Sequence, residues 1–82
     1  MEPHWRVICV LEGCEGRIVW RPGQPSRWLD DHAQLRRGSI QSGWCDACAA
    51  HYEQRSTNTD TTLWLEVVGR WERVPLRESC VP

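Results

Sequence analysis

The sequence predicts a small α+β domain of the treble-clef or zinc-ribbon-like kind, ending in a C-terminal β-hairpin. Three observations predict it. The cysteines stand in two separated pairs, Cys9-x4-Cys14 and Cys45-x2-Cys48. The second pair opens an Ala-rich run, "CDACAAHYEQR", that reads as a helix. β-branched and aromatic runs lie toward both ends of the chain. With 82 residues the chain is read as one domain. A domain of this size hides only ~60–65% of its unfolded surface, so its core needs a staple such as a disulfide, a metal or a partner.

Taken in order, "HWRVIC" (4–9) alternates apolar and polar positions and reads as a strand. "LEGCEG" (11–16) has two glycines and reads as a tight turn, and "RIVWR" (17–21) as a returning strand, with Cys9 and Cys14 at the tip of the hairpin. "PGQP" (22–25) breaks the chain. "SRWLDDHAQLRRG" (26–38) carries helix signals: Ser26 as cap, Trp28, Leu29, His32 and Leu35 at one-face spacing, and Gly38 as stop. "SIQSGW" (39–44) is a link. Residues 45–55 read as a second helix with Asp46 in its first turn, where the dipole favours an anion. "STNTDT" (56–61) is turn-like, and 62–76 split at Gly69 into the two runs of a hairpin. The expected organisation is a metal-binding module over 1–55, a hairpin over 56–76 packed on the same core, and a loose tail over 77–82.

The N-terminal apolar run, Val7 to Leu11, is shorter than the ~7–15 residues of a signal peptide core or the ~20 of a membrane span, so a soluble, cytoplasmic chain is expected. In a reducing compartment paired cysteines more often bind metal or do redox work than form disulfides. Two separated pairs are the usual grammar of a structural zinc site, so Cys9, Cys14, Cys45 and Cys48 are the candidate ligands and Zn²⁺ the expected ion. A helix N-terminus under Cys45 and Cys48 would favour their thiolates. His51, His4 and His32 stand as substitutes for one cysteine, and a redox role for Cys45 and Cys48 is a further alternative. Cys80 has no partner in spacing and is expected to be an incidental thiol.

These motifs, in their order, resemble a short bacterial zinc-binding-type segment often found beside response-regulator, PAS or histidine-kinase modules. The matching positions are Ile8, Cys9, Cys14, Ile18, Trp28, Leu29, Ser42, Gly43, Trp44, Cys45, Cys48 and Tyr52. The first cysteine pair is two residues wider than in that pattern, its Lys-Lys is absent, the expected His before Gly43 is missing, and Asp46 stands where Pro is usual. The resemblance covers residues 8–54. It implies metal binding and a small zinc fold, and no settled activity.

Function is read from charge and surface chemistry. The formal net charge is −1, all ten basic residues are Arg, and there are six Trp and no Phe. GC-rich codon usage is one reading of that bias; selection of Arg and Trp as binding anchors is the other. A structural-zinc interaction module that binds another protein, in a regulatory or accessory role, fits a near-neutral chain best. The candidate partner-binding residues are Trp44, Arg17, Arg21, Arg36, Arg37, Trp64 and Trp71. The alternative is a zinc-dependent, transcription-related nucleic-acid binder, in which Arg17, Arg21, Arg27, Arg36 and Arg37, with Trp20 and Trp28, track phosphates and stack a base. An enzyme would need an open coordination position with a base such as His51 or Glu53 beside it, and four cysteines leave none open. No catalytic role is expected.

Overall fold

The computed structural model describes the backbone from His4 to Val81 and the side chains from Val7 to Glu78. Within it are eight strands: β1 (His4–Val7), β2 (Ile18–Trp20), β3 (Gln24–Leu29), β4 (Leu35–Cys45), β5 (His51–Ser56), β6 (Thr61–Val67), β7 (Arg70–Val74) and β8 (Glu78–Val81). Six of them form one antiparallel sheet in the order β2-β4-β5-β6-β7, with β3 also paired to β4; β1 and β8 form a separate two-stranded sheet. The expected α+β treble-clef or zinc-ribbon-like fold is therefore corrected. The chain is all-β, with no helix among the described residues.

The spine is β4, 11 residues long. On one edge its first half pairs with β3 and its last three residues pair with β2. On the other edge it pairs with β5, Gly43 opposite Tyr52 and Trp44 opposite His51. The segment expected as a helix over 26–38 is the β3–β4 hairpin. Its turn is held by Asp30, whose carboxylate accepts the N–H groups of His32 and Gln34 at 2.9 Å each, while Ala33 takes φ 59°. The spacing of Trp28, Leu29, His32 and Leu35 mimics a helix face only because a turn lies between two short alternating stretches.

The second expected helix, over 45–55, is a turn followed by β5. Cys45 N–H donates to the Ala50 carbonyl at 2.9 Å and Ala49 sits at φ 61°, which ends any helical path. Beyond it, His51 to Ser56 alternate between two sheet faces and gain partners on both edges, so tertiary pairing overrides the helix propensity of the alanines. The C-terminal hairpin turns at Val68 and Gly69 between β6 and β7. Residues 78–81, expected as a loose tail, pair with β1 in the register Trp5 opposite Cys80. The side chains of His4 and Cys80 lie outside the described residues.

Alternation along the strands gives the sheet two unlike faces. On one, Ile18, Cys45, Tyr52, Leu63 and Leu65 are buried together with Cys9, which closes over them from the loop after β1. On the other lie Trp44, His51, Arg55, Trp64 and Trp71. Arg73 on β7 pairs with Asp31 at the β3–β4 tip at 3.1 Å, so the sheet curls over this second face. Arg55 is buried there, 8% exposed, and its charge is met by Glu53 at 2.7 Å and by the Trp64 ring 4.3 Å away.

Candidate metal centre

Two turns present the four cysteines. The first runs from Cys9 to Gly16 between β1 and β2. Cys9 N–H donates to the Gly16 carbonyl at 2.9 Å, Cys14 N–H donates to the Leu11 carbonyl at 3.0 Å, and Gly13 supplies the left-handed step at φ 78°. The second runs from Cys45 to Ala50 between β4 and β5, closed by the Cys45–Ala50 bond already described. Asp46 joins them. Its N–H donates to the Arg17 carbonyl at 2.9 Å and its carboxylate accepts the Arg17 N–H at 2.9 Å.

The turns bring the sulfurs of Cys9, Cys14, Cys45 and Cys48 within 4.8 Å of one another. Cys14 and Cys45 Sγ are 3.6 Å apart, Cys9 and Cys48 Sγ 3.8 Å. A tetrahedral ion with metal–sulfur bonds of ~2.3 Å has sulfur–sulfur edges of ~3.8 Å. The four thiols are free, and they are positioned to hold a metal ion. Space around them is tight on one side. A Cβ on Gly16 would fall on Cys45 Sγ and lie 2.7 Å from the Ala47 Cβ, so the cluster requires glycine there.

The electrostatics follow from crowding and from the turn amides. Burial opposes ionisation of Cys45, but the Cys48 and Ala47 N–H groups and the neighbouring thiols outweigh it and bring this thiol down to about 7. At Cys14 the Gly16 N–H favours the thiolate, yet Cys45 and burial push the group up to about 12. At Cys48 the Ala50 N–H also favours ionisation, but burial and the Cys45 thiol raise it. Cys14 and Cys48 thus favour the thiol, and a cation bound there would displace their protons. The sequence expectation that a helix N-terminus would favour the thiolates is corrected: turn amides do so, with Ala47 N–H 3.4 Å from Cys45 Sγ.

Tyr52 completes the surroundings. It is fully buried, its Oη lies 3.0 Å from Cys9 Sγ and accepts the Val10 N–H at 3.1 Å. Burial, then the Cys9 sulfur, raise its ionisation well above the ordinary phenol range. With Cys9 as a thiolate, the neutral phenol is the donor in that contact. Neither this role nor those of Asp46 and Gly16 was read from the sequence. The signal present there was a Gly two residues after the second cysteine and an Asp inside the C-x-x-C.

The histidines stand apart from the sulfurs among the described residues. The His51 ring stacks on Trp44 at 4.5 Å, meets Trp71 edge-on at 5.0 Å, and turns Nδ1 toward Glu66 at 3.7 Å, on the sheet face opposite Tyr52. His32 is in the exposed β3–β4 turn.

Of the expected partner-binding residues, Trp44, Trp64 and Trp71 share the second sheet face with Arg21 over Trp44, while Arg17 and Arg37 lie away from them. Trp44 is 36% exposed, with the Arg21 guanidinium 5.1 Å from its ring centre. Trp71 is half-buried against His51. Trp64 is 6% exposed, lies under Arg55, and donates through Nε1 to Thr62 at 2.8 Å. Arg36 is paired with Asp30 at 2.9 Å. Arg17 is exposed beside the first turn, and Arg37 is exposed opposite Arg27 on the β3–β4 hairpin. The chain matches no family model, no curated protein and no solved structure. Among the described residues, no helix is long and apolar enough to cross a membrane.

Proposed function

We propose that this chain is a structural-zinc interaction module that binds another protein in a regulatory or accessory role. The observation that carries the metal reading is the convergence of four cysteine sulfurs within 4.8 Å from two interlocked turns. An all-thiolate tetrahedral set suits zinc, and four protein ligands leave no coordination position for water. The ion would then hold the fold rather than perform chemistry, and His51 and Glu53, engaged on the other sheet face, take no part in it. Free thiols of this kind persist in the cytoplasm, where we place the protein. The resemblance to the bacterial zinc-binding-type segment supports the same ligands and adds no activity.

Protein docking is favoured over nucleic acid by how the aromatic rings are already used. One Trp44 neighbour is His51 and another is Arg21, while Trp64 lies beneath Arg55. A base would have to displace these partners to stack. Arg36, Arg55, Arg70 and Arg73 are paired with acids, Arg21 lies over Trp44 and Arg77 donates to the Cys9 carbonyl, which leaves Arg17, Arg27 and Arg37 among the described side chains to track a phosphate backbone.

Elemental analysis of purified protein tests the metal: one zinc per chain is expected, with unfolding on chelation. A chelated chain that keeps its full thermal stability contradicts a structural ion. Affinity capture from native lysate, with and without nuclease, tests the partner. One defined protein recovered in both cases is expected, and loss of all partners on nuclease treatment refutes the protein reading.

A further inference from the structure

The outward face of the β3–β4 hairpin carries two features that cost an isolated protein stability. Arg27 and Arg37 are directly opposite one another across the strands. Cross-strand Cβ atoms lie ~4.5–5.5 Å apart, and like charges in that position repel. Neither guanidinium has an acidic partner among the described residues, in contrast to Arg36, Arg55, Arg70 and Arg73. The next pair toward the turn on the same face is Leu29 opposite Leu35, 62% and 57% exposed. Alternation puts all four side chains on one side of the hairpin, with Trp28 and Arg36 on the other. The hairpin is not loose: Trp28 is buried, and the Asp30 turn and the Asp31–Arg73 pair fix its tip.

We propose that this face docks an extended acidic segment of a protein partner, with Asp or Glu placed two residues from an apolar side chain. The inference rests on the protein-binding reading and gives it a location and a partner chemistry. A carboxylate between Arg27 and Arg37 relieves their repulsion and accepts hydrogen bonds from two guanidiniums. An apolar side chain covers Leu29 and Leu35. The two rows are two residues apart along each strand, about 6.6–6.8 Å. Side chains at i and i+2 of an extended ligand have that same spacing and point the same way. A phosphate chain would satisfy the arginines but leave the leucine pair in water.

The test is a fluorescence-anisotropy titration of the metal-loaded full chain with labelled peptides. The probe is a short Ser/Thr peptide containing Glu-Thr-Leu; Gln-Thr-Leu and Glu-Leu-Thr peptides and a single-stranded oligonucleotide are the comparisons. Saturable binding of the Glu-Thr-Leu peptide is expected, weakened about tenfold or more by either comparison sequence, by the double variant Arg27→Gln/Arg37→Gln, or by Leu29→Ser/Leu35→Ser. All four positions are exposed, so these variants should keep the metal content and circular dichroism of the parent. Peptide binding that is absent up to millimolar concentration, or unchanged in both double variants, overturns the site. Tighter binding of the oligonucleotide overturns it in favour of phosphate, and self-association abolished by Arg27→Gln/Arg37→Gln overturns it in favour of a second copy. Capture of a defined partner by the Arg27→Gln/Arg37→Gln chain at parental yield also overturns this site while leaving the protein-binding reading standing.

Discussion

Asp46 and Arg17 exchange two backbone-linked hydrogen bonds, both of 2.9 Å, and so fasten one cysteine turn to the other. The carboxylate half of this exchange is a side-chain property and can be removed. Asp46→Ala should cost ~1 kcal/mol in unfolding free energy, because it deletes an exposed charge-assisted bond while the Asp46 N–H to Arg17 carbonyl bond survives. Asp46→Asn keeps an acceptor and should lose less than half as much. Urea unfolding of the metal-loaded proteins checks the order; equal losses in the two variants would mean that the carboxylate is not what joins the turns.

The second prediction concerns Tyr52, whose Oη is 3.0 Å from Cys9 Sγ. Removing the hydroxyl leaves the half-buried Val10 N–H without this acceptor and withdraws a donor from the thiolate. Groups of this sort that hydrogen-bond a metal ligand are worth about 10–100-fold in metal affinity. Tyr52→Phe should therefore weaken zinc binding by about tenfold in a competition with a chromophoric chelator. Unchanged affinity together with lowered stability would assign Tyr52 to packing alone.

The cysteine cluster was legible because ligand chemistry is local. Cys9 and Cys14 need one turn, which Gly13 signals, and the two-residue gap between Cys45 and Cys48 puts both sulfurs on one side whether it opens a helix, as the sequence was read, or makes the turn that the structure shows. The helices were misread for one shared reason. Trp28 to Leu35 and Cys45 to Arg55 each contain a sharp turn, made by Asp30 with Ala33 and by Ala49, and a turn shifts a two-residue alternation into helix-like spacing. Nothing near Ala33 or Ala49 announces a positive φ, since alanine rarely adopts one. The β1–β8 pairing joins segments over seventy residues apart, so its evidence lies in neither segment by itself. The break at Gly69 was readable because glycine is the usual second residue of a two-residue hairpin turn.

Asp30 makes stability depend on acid. The Gln34 N–H, then the Arg36 guanidinium, hold its carboxyl at about 2 in place of the ordinary 3.8. A carboxyl lowered on folding stabilises the protein above its unfolded value, and the contribution is lost as pH falls from 3.8 toward 2. Asp30→Asn removes the charge, so it should be less stable than the parent at neutral pH, and the gap should narrow as the solution is acidified through that window. Acid would release zinc and unfold both proteins, so they are compared with exchange-inert Co³⁺ in the four-cysteine site, and the difference in their urea midpoints then isolates this carboxyl. A gap that stays constant down to the lowest pH would refute the assignment.

The β6–β7 turn carries strain that a single substitution should release. Val68 takes φ 49° and Gly69 takes φ 79°, so both turn residues are left-handed, as in a type I′ hairpin. Glycine adopts this freely, but a β-branched side chain does not, and the left-handed conformation costs an ordinary L-residue ~1–2 kcal/mol. Val68 is 98% exposed, so it recovers little of that cost through packing. Asparagine is the favoured residue at this position before glycine, because its short polar side chain hydrogen-bonds locally in the left-handed region. Val68→Asn should therefore stabilise the protein by ~1 kcal/mol, a rise in Tm of about 4–8 °C for a domain of this size, with no change in zinc affinity. Val68→Gly should also stabilise, but by less, because its unfolded chain has more freedom to lose. Differential scanning calorimetry of the three proteins decides it: a Val68→Asn variant that melts at or below the parent would show that the exposed valine is held in place by something other than the turn.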